Sequence, residues 1–418
     1  MSVFAPAPFA SSGGRSLSPD AAAGKAVVSR QRWRMSGDAK MLVLVTAILA
    51  AIGIAVLYSA SAITAAAEGH TGHHYVLKQL TGLLAGAVAF AIAAKFDAEF
   101  LRKLAWPVMI VSIFLMLLTV LPFTESIAPM KNGSRRFLYG GSIQPSEIAK
   151  FAIIIWTPML LIKKGDAVRR LGKGLLPFIL VIGLLSLLAV LEPDFSVAMM
   201  FCLLMAVLLF VGGARVAHFV FLGALAVPLL FQQLSGNSYV RERVRSFFAA
   251  EQTSSDNSLA SGVSFQQKQS LIAVGSGQLM GVGFSEGNQQ RGWLPLAYND
   301  FIGSVVGEEL GFVGIAFLTI CFAGYGWLGF RIAKNARSPF TALVAIGLTF
   351  TTVFTAFIHL GVVIGLLPNT GLTLPFVSYG RTNLVMTLAM TGVLVNIGSS
   401  RERVYNGNAT DPLAPLAT

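Results

Sequence analysis

The chain has 418 residues, of which 55% are hydrophobic and 12% charged, with a mean hydropathy of +0.70. A water-soluble domain cannot hide that much apolar surface, so the composition excludes a soluble enzyme or binding module and implies an integral membrane protein. The formal net charge of +12 would suggest nucleic acid in a soluble protein. Here most of the excess sits in short connections between apolar stretches, where it sets orientation and meets anionic headgroups, and no nucleic-acid partner is expected.

Residues 1–39 are rich in Ala, Ser, Gly and Pro and end in the basic run Arg30 to Arg34. That composition predicts a disordered cytoplasmic tail before a first span that itself acts as the insertion signal. About ten apolar segments follow that are long enough to cross a bilayer: 41–62, 80–96, 104–123, 145–163, 174–192, 194–213, 216–233, 304–330, 340–366 and 383–398. They are unpatterned rather than alternating, which selects helices over barrel strands. The expected fold is all-α, a polytopic membrane domain over 40–400. A large extracytoplasmic loop, 234–303, joins helices 7 and 8, and 401–418 forms a second cytoplasmic tail. Arg102 and Lys103, the Lys163 to Lys173 cluster, Arg215, Arg331, Lys334, Arg337, Arg401 and Arg403 fall on one side. The positive-inside bias makes that side, and both termini, cytoplasmic. Cys202 and Cys321 fall inside spans and are expected as buried thiols, with no disulfide framework.

Polar groups on the opposite side run against that bias. His70, His73 and His74 follow the first span; three histidines without a nearby carboxylate make a solvated loop more often than a metal site. Arg135 and Arg136, with Lys131, precede the fourth span, and Arg241, Arg243 and Arg245 follow the seventh. Guanidinium suits bidentate phosphate contacts; the alternative is a basic segment resting on headgroups, or pairing with Glu242. Glu147 and Lys150 lie three residues apart on one helix face, either as a functional intramembrane pair or as one that holds helices together. In the turn Leu191 to Asp194, Pro193 breaks the helix, and Glu192 and Asp194 can meet Lys150 or an outer arginine.

The loop 234–303 contains a Gly-rich, moderately apolar stretch, Gln266 to Gly283, expected as a short amphipathic or re-entrant segment on the bundle. Asp300 stands at the lipid–water boundary just before an apolar helix. It suits a general base that activates a hydroxyl group, or alternatively a helix N-cap. Glu308 and Glu309 line a cavity or sit in the headgroup zone, and adjacent helix positions face different ways. Leu367 to Asn383 holds two prolines and two glycines, cannot be a regular helix, and is expected to fold into a cavity mouth with Arg381 in it. His359, inside the ninth span, is expected as a packed polar residue.

Taken together, LYSASA (Leu57 to Ala62), GSRRF (Gly133 to Phe137), QPSEIAK (Gln144 to Lys150), LEPDF (Leu191 to Phe195), FQQKQSLIAVGSG (Phe265 to Gly277), WLPLAYNDF (Trp293 to Phe301), VGEELGFVG (Val306 to Gly314) and PNTGLTLPFVSYG (Pro368 to Gly380) resemble the SEDS family (shape, elongation, division and sporulation) in the family's order. The resemblance implies a ten-helix fold and peptidoglycan glycosyltransferase activity on lipid II, an undecaprenyl-pyrophosphate-linked disaccharide pentapeptide. It places the catalytic carboxylate on Asp300. The substrate contacts expected are Arg135, Arg136, Arg241, Arg243, Arg245, Lys268, Gln269, Glu308, Ser378 and Arg381, with Glu147, Lys150 and Asp194 as an ionic set. It also implies a class B penicillin-binding protein transpeptidase and other divisome membrane proteins as partners, in the bacterial inner membrane at the septum.

TGLTLPF (Thr370 to Phe376) and the basic N-terminal tail look more like the division-type FtsW branch than the elongation-type RodA branch. The alternatives are an elongation polymerase, a lipid II flippase, or a scaffold. No cofactor is evident, although Mg or Mn could share a pyrophosphate charge. The chain departs from the family's pattern in several places. Tyr298 and Asn299 replace His-Thr before the aspartate, Leu296 stands where Glu is usual, LEPD replaces LQPD with Ser196 beyond it, and Arg381 and Asn383 are unusual after SYG.

Overall fold

The computed structural model describes residues 30–130, 135–139, 143–220, 223–224, 262–405 and 409–412. Arg241, Arg243, Arg245 and Lys131, most of the expected seventh span and the chain before residue 30 lie outside the described residues. The membrane unit, Met35–Ser399, is built from α1 (Gly37–Ala67), α2 (His74–Lys95), α3 (Leu101–Val120), α4 (Pro145–Lys164), α5 (Leu176–Leu191), α6 (Phe195–Val211), α7 (Gly262–Gly277), α8 (Ile302–Lys334), α9 (Pro339–Val363) and α10 (Arg381–Ile397). Every expected span except the seventh coincides with one of these helices. Among the described residues, six are long and apolar enough to cross a membrane, and α5 and α6 are shorter apolar helices. The protein is an all-α polytopic membrane protein. The terminal unit adds a short sheet in the order β1 (Arg30–Met35), β2 (Ser399–Tyr405), β3 (Ala409–Pro412), with β2 and β3 antiparallel and Glu402 opposite Pro412.

Local chemistry sets the helix ends. Ser36 accepts from Ala39 N–H to start α1, and Asp194 accepts from Val197 N–H to start α6. Ser338 and Thr341 make a reciprocal capping box at α9, and Pro145 and Pro339 sit in first turns where a missing N–H costs nothing. The burial pattern is that of a protein in lipid: Leu84, Ile92, Ile110 and Trp327 point outward, while Trp156, Phe178, Phe201 and Phe301 are fully buried. The apolar window of α4 is 83% buried against 17% for α2, so α4 runs through the middle and α2 on the rim. Helix α2 packs on α10 at glycines. A Cβ on Gly86 would stand 2.5 Å from Leu388 Cδ1, and one on Gly392 would stand 2.5 Å from the Phe90 carbonyl.

The described helices end in two polar groups of turns and loops. At one end Ser36 N–H donates to Gly398 O, Ala98 N–H to Asn396 Oδ1, and Ser338 bonds Glu99. At the other end stand the α1–α2 turn, the turn between α5 and α6, the segment 277–301 and the loop 364–380. There Gln144 N–H donates to Thr382 Oγ1, and Ser196 Oγ donates to the Thr370 carbonyl.

Helix α8 is broken at Gly311, which takes φ 65° and ψ −158°. In an unbroken helix Phe312 and Val313 would donate to the carbonyls of Glu308 and Glu309. Instead those carbonyls accept from Val282 and Gly283 at 2.9 and 3.2 Å, and Phe312 and Val313 donate to Gln278 and Leu279 at 2.8 and 3.2 Å. All four groups freed by the break are thereby paired with one loop, as a low-dielectric environment demands.

Candidate active site

Asp300 ends the segment that follows this loop. It is half-buried, and it is not the helix cap that the sequence left open. Phe301 holds the N-cap position of α8 and no side chain caps the helix there. The segment bearing Asp300 is bonded along its backbone to the loop before α10. Tyr379 N–H donates to the Tyr298 carbonyl at 3.0 Å, and Ser378 Oγ donates to the Asn299 carbonyl at 2.8 Å. Ser378 Oγ in turn accepts from Leu374 N–H at 2.8 Å. The amide of Gln79, on α2, spans the same loop, with Nε2 donating to the Ser378 carbonyl and Oε1 accepting from Gly380 N–H, both at 3.1 Å. Each of the two loops carries a non-glycine residue in the left-handed region, Leu296 at φ 56° and Phe376 at φ 65°. Such backbone persists where surrounding bonds over-determine it.

His359, fully buried on α9, joins the same assembly. Its Nε2 accepts from Gly303 N–H at 3.3 Å and its Nδ1 lies 2.9 Å from the Leu372 carbonyl. An acceptor role at Nε2 fixes the proton on Nδ1. The sequence expectation of a packed polar histidine describes its burial but misses that it ties the start of α8 to the loop 364–380.

Three tyrosines pack beside the carboxylate. Tyr75 and Tyr298 have ring centroids 4.7 Å apart, Tyr298 and Tyr379 5.8 Å, and Tyr75 and Tyr379 5.2 Å. Burial pushes the phenols of Tyr298 and Tyr379 up; the negative charges of Glu68 and Asp300 raise Tyr298 further, whereas Arg381 opposes the shift at Tyr379. Asp300 and Arg381 therefore act on two tyrosines that touch, and the fold brings a carboxylate and a guanidinium to one aromatic cluster.

The other expected residues have these partners and surroundings. Arg135 pairs with Glu125. Arg136 Nη1 lies 3.2 Å from Asp194 Oδ2. Lys150 Nζ lies 2.7 Å from Glu147 Oε1, with both side chains 6% exposed. Lys268 is exposed and Gln269 half-buried on α7, which is fixed to the end of α9 and the start of α8 by Gln267 to Val362 O at 2.8 Å and Ser270 to Ser304 at 2.7 Å. The expected packed segment in the long loop thus corresponds to α7.

Glu308 and Glu309 are both buried rather than split between two environments, because the segment 288–290 and α1 supply partners to both. Glu308 accepts from the backbone N–H groups of Asn288 and Gln289, the shortest at 2.7 Å. Glu309 bonds Ser59 on α1, and Gln290 Nε2 donates to it at 2.9 Å. The expectation of a buried thiol at Cys202 is corrected: it is exposed on the outward face of α6, 3.3 Å from Ser186 Oγ. His70 and His74 stack with centroids 4.0 Å apart rather than converging on a point. No group of three or more His, Cys, Asp or Glu that could hold a metal occurs among the described residues.

Residues 39–403 match the family described as cell cycle protein, FtsW/RodA/SpoVE. The chain belongs to that family. It is 33% identical to a protein of Trichlorobacter lovleyi named probable peptidoglycan glycosyltransferase FtsW, over 89% of this chain and 96% of that protein. It is also 33% identical to stage V sporulation protein E of Bacillus subtilis, over 85% of this chain and 96% of that protein. The fold is similar to that in a structure titled structural coordination of polymerization and crosslinking by a peptidoglycan synthase complex, with a TM-score of 0.68 and 23% identity over 86% of this chain and 97% of that one. It is similar as well to the Thermus thermophilus rod shape determining protein RodA, with a TM-score of 0.61 and 24% identity over 86% and 95%.

Within this FtsW/RodA/SpoVE-family chain, sequence reasoning missed Gln79 and gave no role to Ser59 or Gln290. The available signal was chemical. A hydroxyl inside an apolar span needs a partner, and Ser59 finds one in Gln290 and Glu309; Gln79 stands at the edge of the second expected span and Gln290 in the long loop, where an amide raises no such demand.

Proposed function

We propose that the protein is a division-type peptidoglycan glycosyltransferase that polymerises lipid II, with Asp300 as the general base. The observation that carries this reading is the half-buried Asp300 at the mouth of α8, beside a tyrosine cluster that also feels Arg381. The relatives named peptidoglycan glycosyltransferase support the activity. In this reading the end bearing Asp300 faces away from the cytoplasm and both termini lie inside it, which the positive-inside asymmetry of the sequence supports.

In this reading Asp300 takes the proton from the 4-hydroxyl of the incoming lipid II sugar. That oxygen bonds to the anomeric carbon of the lipid-linked strand, the bond to undecaprenyl pyrophosphate breaks, and the carrier leaves with the bonding electrons. A single displacement inverts the anomeric centre and needs no second catalytic carboxylate. Arg381, Arg135 and Arg136 supply cationic groups at that end for the leaving pyrophosphate, the last two by exchanging their carboxylate partners for phosphate. A class B penicillin-binding protein is the partner proposed to crosslink the product, and the fold's likeness to a peptidoglycan synthase complex fits that pairing. The septum is the proposed location.

The test is polymerisation of lipid II by the purified full-length chain. Wild type yields glycan and Asp300→Asn yields none; normal polymer from that variant removes Asp300 as base. Transfer of lipid II across a vesicle with no polymer would replace the enzyme reading with a flippase.

A further inference from the structure

We propose that Gln79 is a positioning residue for Asp300, acting from α2 through the loop 378–380. The inference rests on the reading of Asp300 as the base.

Gln79 is 1% exposed, so no substrate reaches it. Its amide is read at both ends: the NH2 faces the Ser378 carbonyl and the oxygen faces Gly380 N–H. A flipped amide would set donor against donor and acceptor against acceptor, so one orientation is imposed. The residue enclosed by that bridge, Tyr379, donates its N–H to the Tyr298 carbonyl, and the residue before it, Ser378, donates its hydroxyl to the Asn299 carbonyl. These are the two carbonyls immediately preceding Asp300. A continuous hydrogen-bonded path therefore runs from one buried glutamine to the backbone that sets the position of the carboxylate.

The path is held from outside as well. Gly82, one turn along α2 from Gln79, has no Cβ, and one placed there would stand 3.2 Å from Arg381 Cα. The start of α10 can therefore lie directly against α2 and present the 378–380 backbone to the amide. The bridge is a means of fixing an irregular loop that cannot satisfy its own backbone inside a membrane protein. Because that loop also holds the Asp300 segment, the bridge fixes the reacting geometry too. A shift of about 1 Å in a catalytic group costs on the order of 10²-fold in rate.

The experiment measures lipid II polymerisation at varied substrate concentration with Gln79→Leu and Ser378→Ala, each normalised to folded protein. The expected result for Gln79→Leu is a kcat lower by on the order of 10²-fold and an unchanged KM. Ser378→Ala, which removes only the bond to Asn299 and the contact with Leu374 N–H, lowers kcat in the same way. The double variant is no slower than the slower single, because both act on one path. A merely structural role lowers the folded fraction but leaves kcat per folded molecule intact, and that result overturns the proposal, as do losses that multiply in the double variant. If Gln79→Leu does not fold, Ser378→Ala decides alone: wild-type turnover in it sinks the proposal. Failure here is distinct from failure of the base assignment. Asp300→Asn that still polymerises removes the base, whereas an inactive Asp300→Asn with wild-type turnover in Gln79→Leu removes only the positioning role.

Discussion

Gly281 lies against the break in α8 so closely that a Cβ on it would stand 2.1 Å from the carbonyl oxygen of Glu309. Gly277 does the same to Gly307, where a Cβ would stand 1.9 Å from the carbonyl oxygen. Both obstacles are backbone, which cannot swing aside as a flexible side chain can. Gly281 also holds φ 82°, which an L side chain rarely adopts. Gly281→Ala is expected to push the loop off the broken helix and expose the carbonyls of Glu308 and Glu309 to a medium without donors. The expected cost is about 1–3 kcal/mol from the backbone conformation alone, with steric overlap adding to it. Thermal unfolding in micelles would show a lowered midpoint for Gly281→Ala and none for alanine at Gly275, which has open space around it.

The helices were legible because apolar length is a local property, and the spans could be read directly from the sequence. The break in α8 was not, because Gly307 to Gly314 falls inside one stretch, 304–330, long enough to be read as a single continuous span. What opens it is a second segment, 277–283, that supplies partners for the freed groups, and no local pattern reports a partner. Asp300 was visible as a charge at the mouth of a span. Its support was not: the bonds from Tyr379 and Ser378 to residues 298 and 299 join segments about eighty positions apart in sequence. His359, a polar residue inside a span, announced that a partner existed without saying which.

Glu308 holds the segment leading to Asp300 by accepting from two successive backbone N–H groups. A carboxylate has acceptors only, so it matches two donors; an amide at this site turns an NH2 toward one of them. Glu308→Gln is therefore expected to loosen residues 288–293 and cost about 1–3 kcal/mol. Trypsin offers a direct readout, since Arg291 is exposed in that segment. Cleavage after Arg291 should be faster in the variant than in wild type, and equal rates would remove Glu308 as the anchor.

The Glu147–Lys150 pair is buried on the first turns of α4, the helix that runs through the middle of the bundle. Two opposite charges taken out of water together lose solvation that their attraction only partly restores, but one charge left alone is far worse. Lys150→Met by itself is expected to cost about 3–5 kcal/mol. Adding Glu147→Gln to it should recover part of that loss. A double variant less stable than Lys150→Met would mean that the two side chains do not act as a pair.

Glu192 sits in the turn between α5 and α6 with 3% of its surface exposed, bonded to Thr119. Burial pushes its carboxyl up to about 8; the bond from Thr119 opposes this, the charge of Asp194 adds to it, and Arg136 opposes it. The hydrogen-bond arithmetic points the same way. The Thr119 hydroxyl has one proton, and its oxygen also lies 2.6 Å from the Met116 carbonyl. A neutral Glu192 donates to Thr119 while Thr119 donates to Met116, and every group is served. An ionised Glu192 takes that proton and leaves Met116 without it. The sign of the pH effect follows from linkage. The native state holds a proton that the unfolded chain releases near the ordinary carboxylate value, so stability is full below that value. It falls as pH rises toward about 8 and is then constant, with a limiting slope of about 1.4 kcal/mol per pH unit. Glu192→Gln keeps the shape of the neutral acid and abolishes the titration. Its unfolding midpoint should match wild type at about pH 4, below the ordinary carboxylate value, and exceed it increasingly toward about pH 8. A difference that does not grow with pH would show that Glu192 is ionised in the fold.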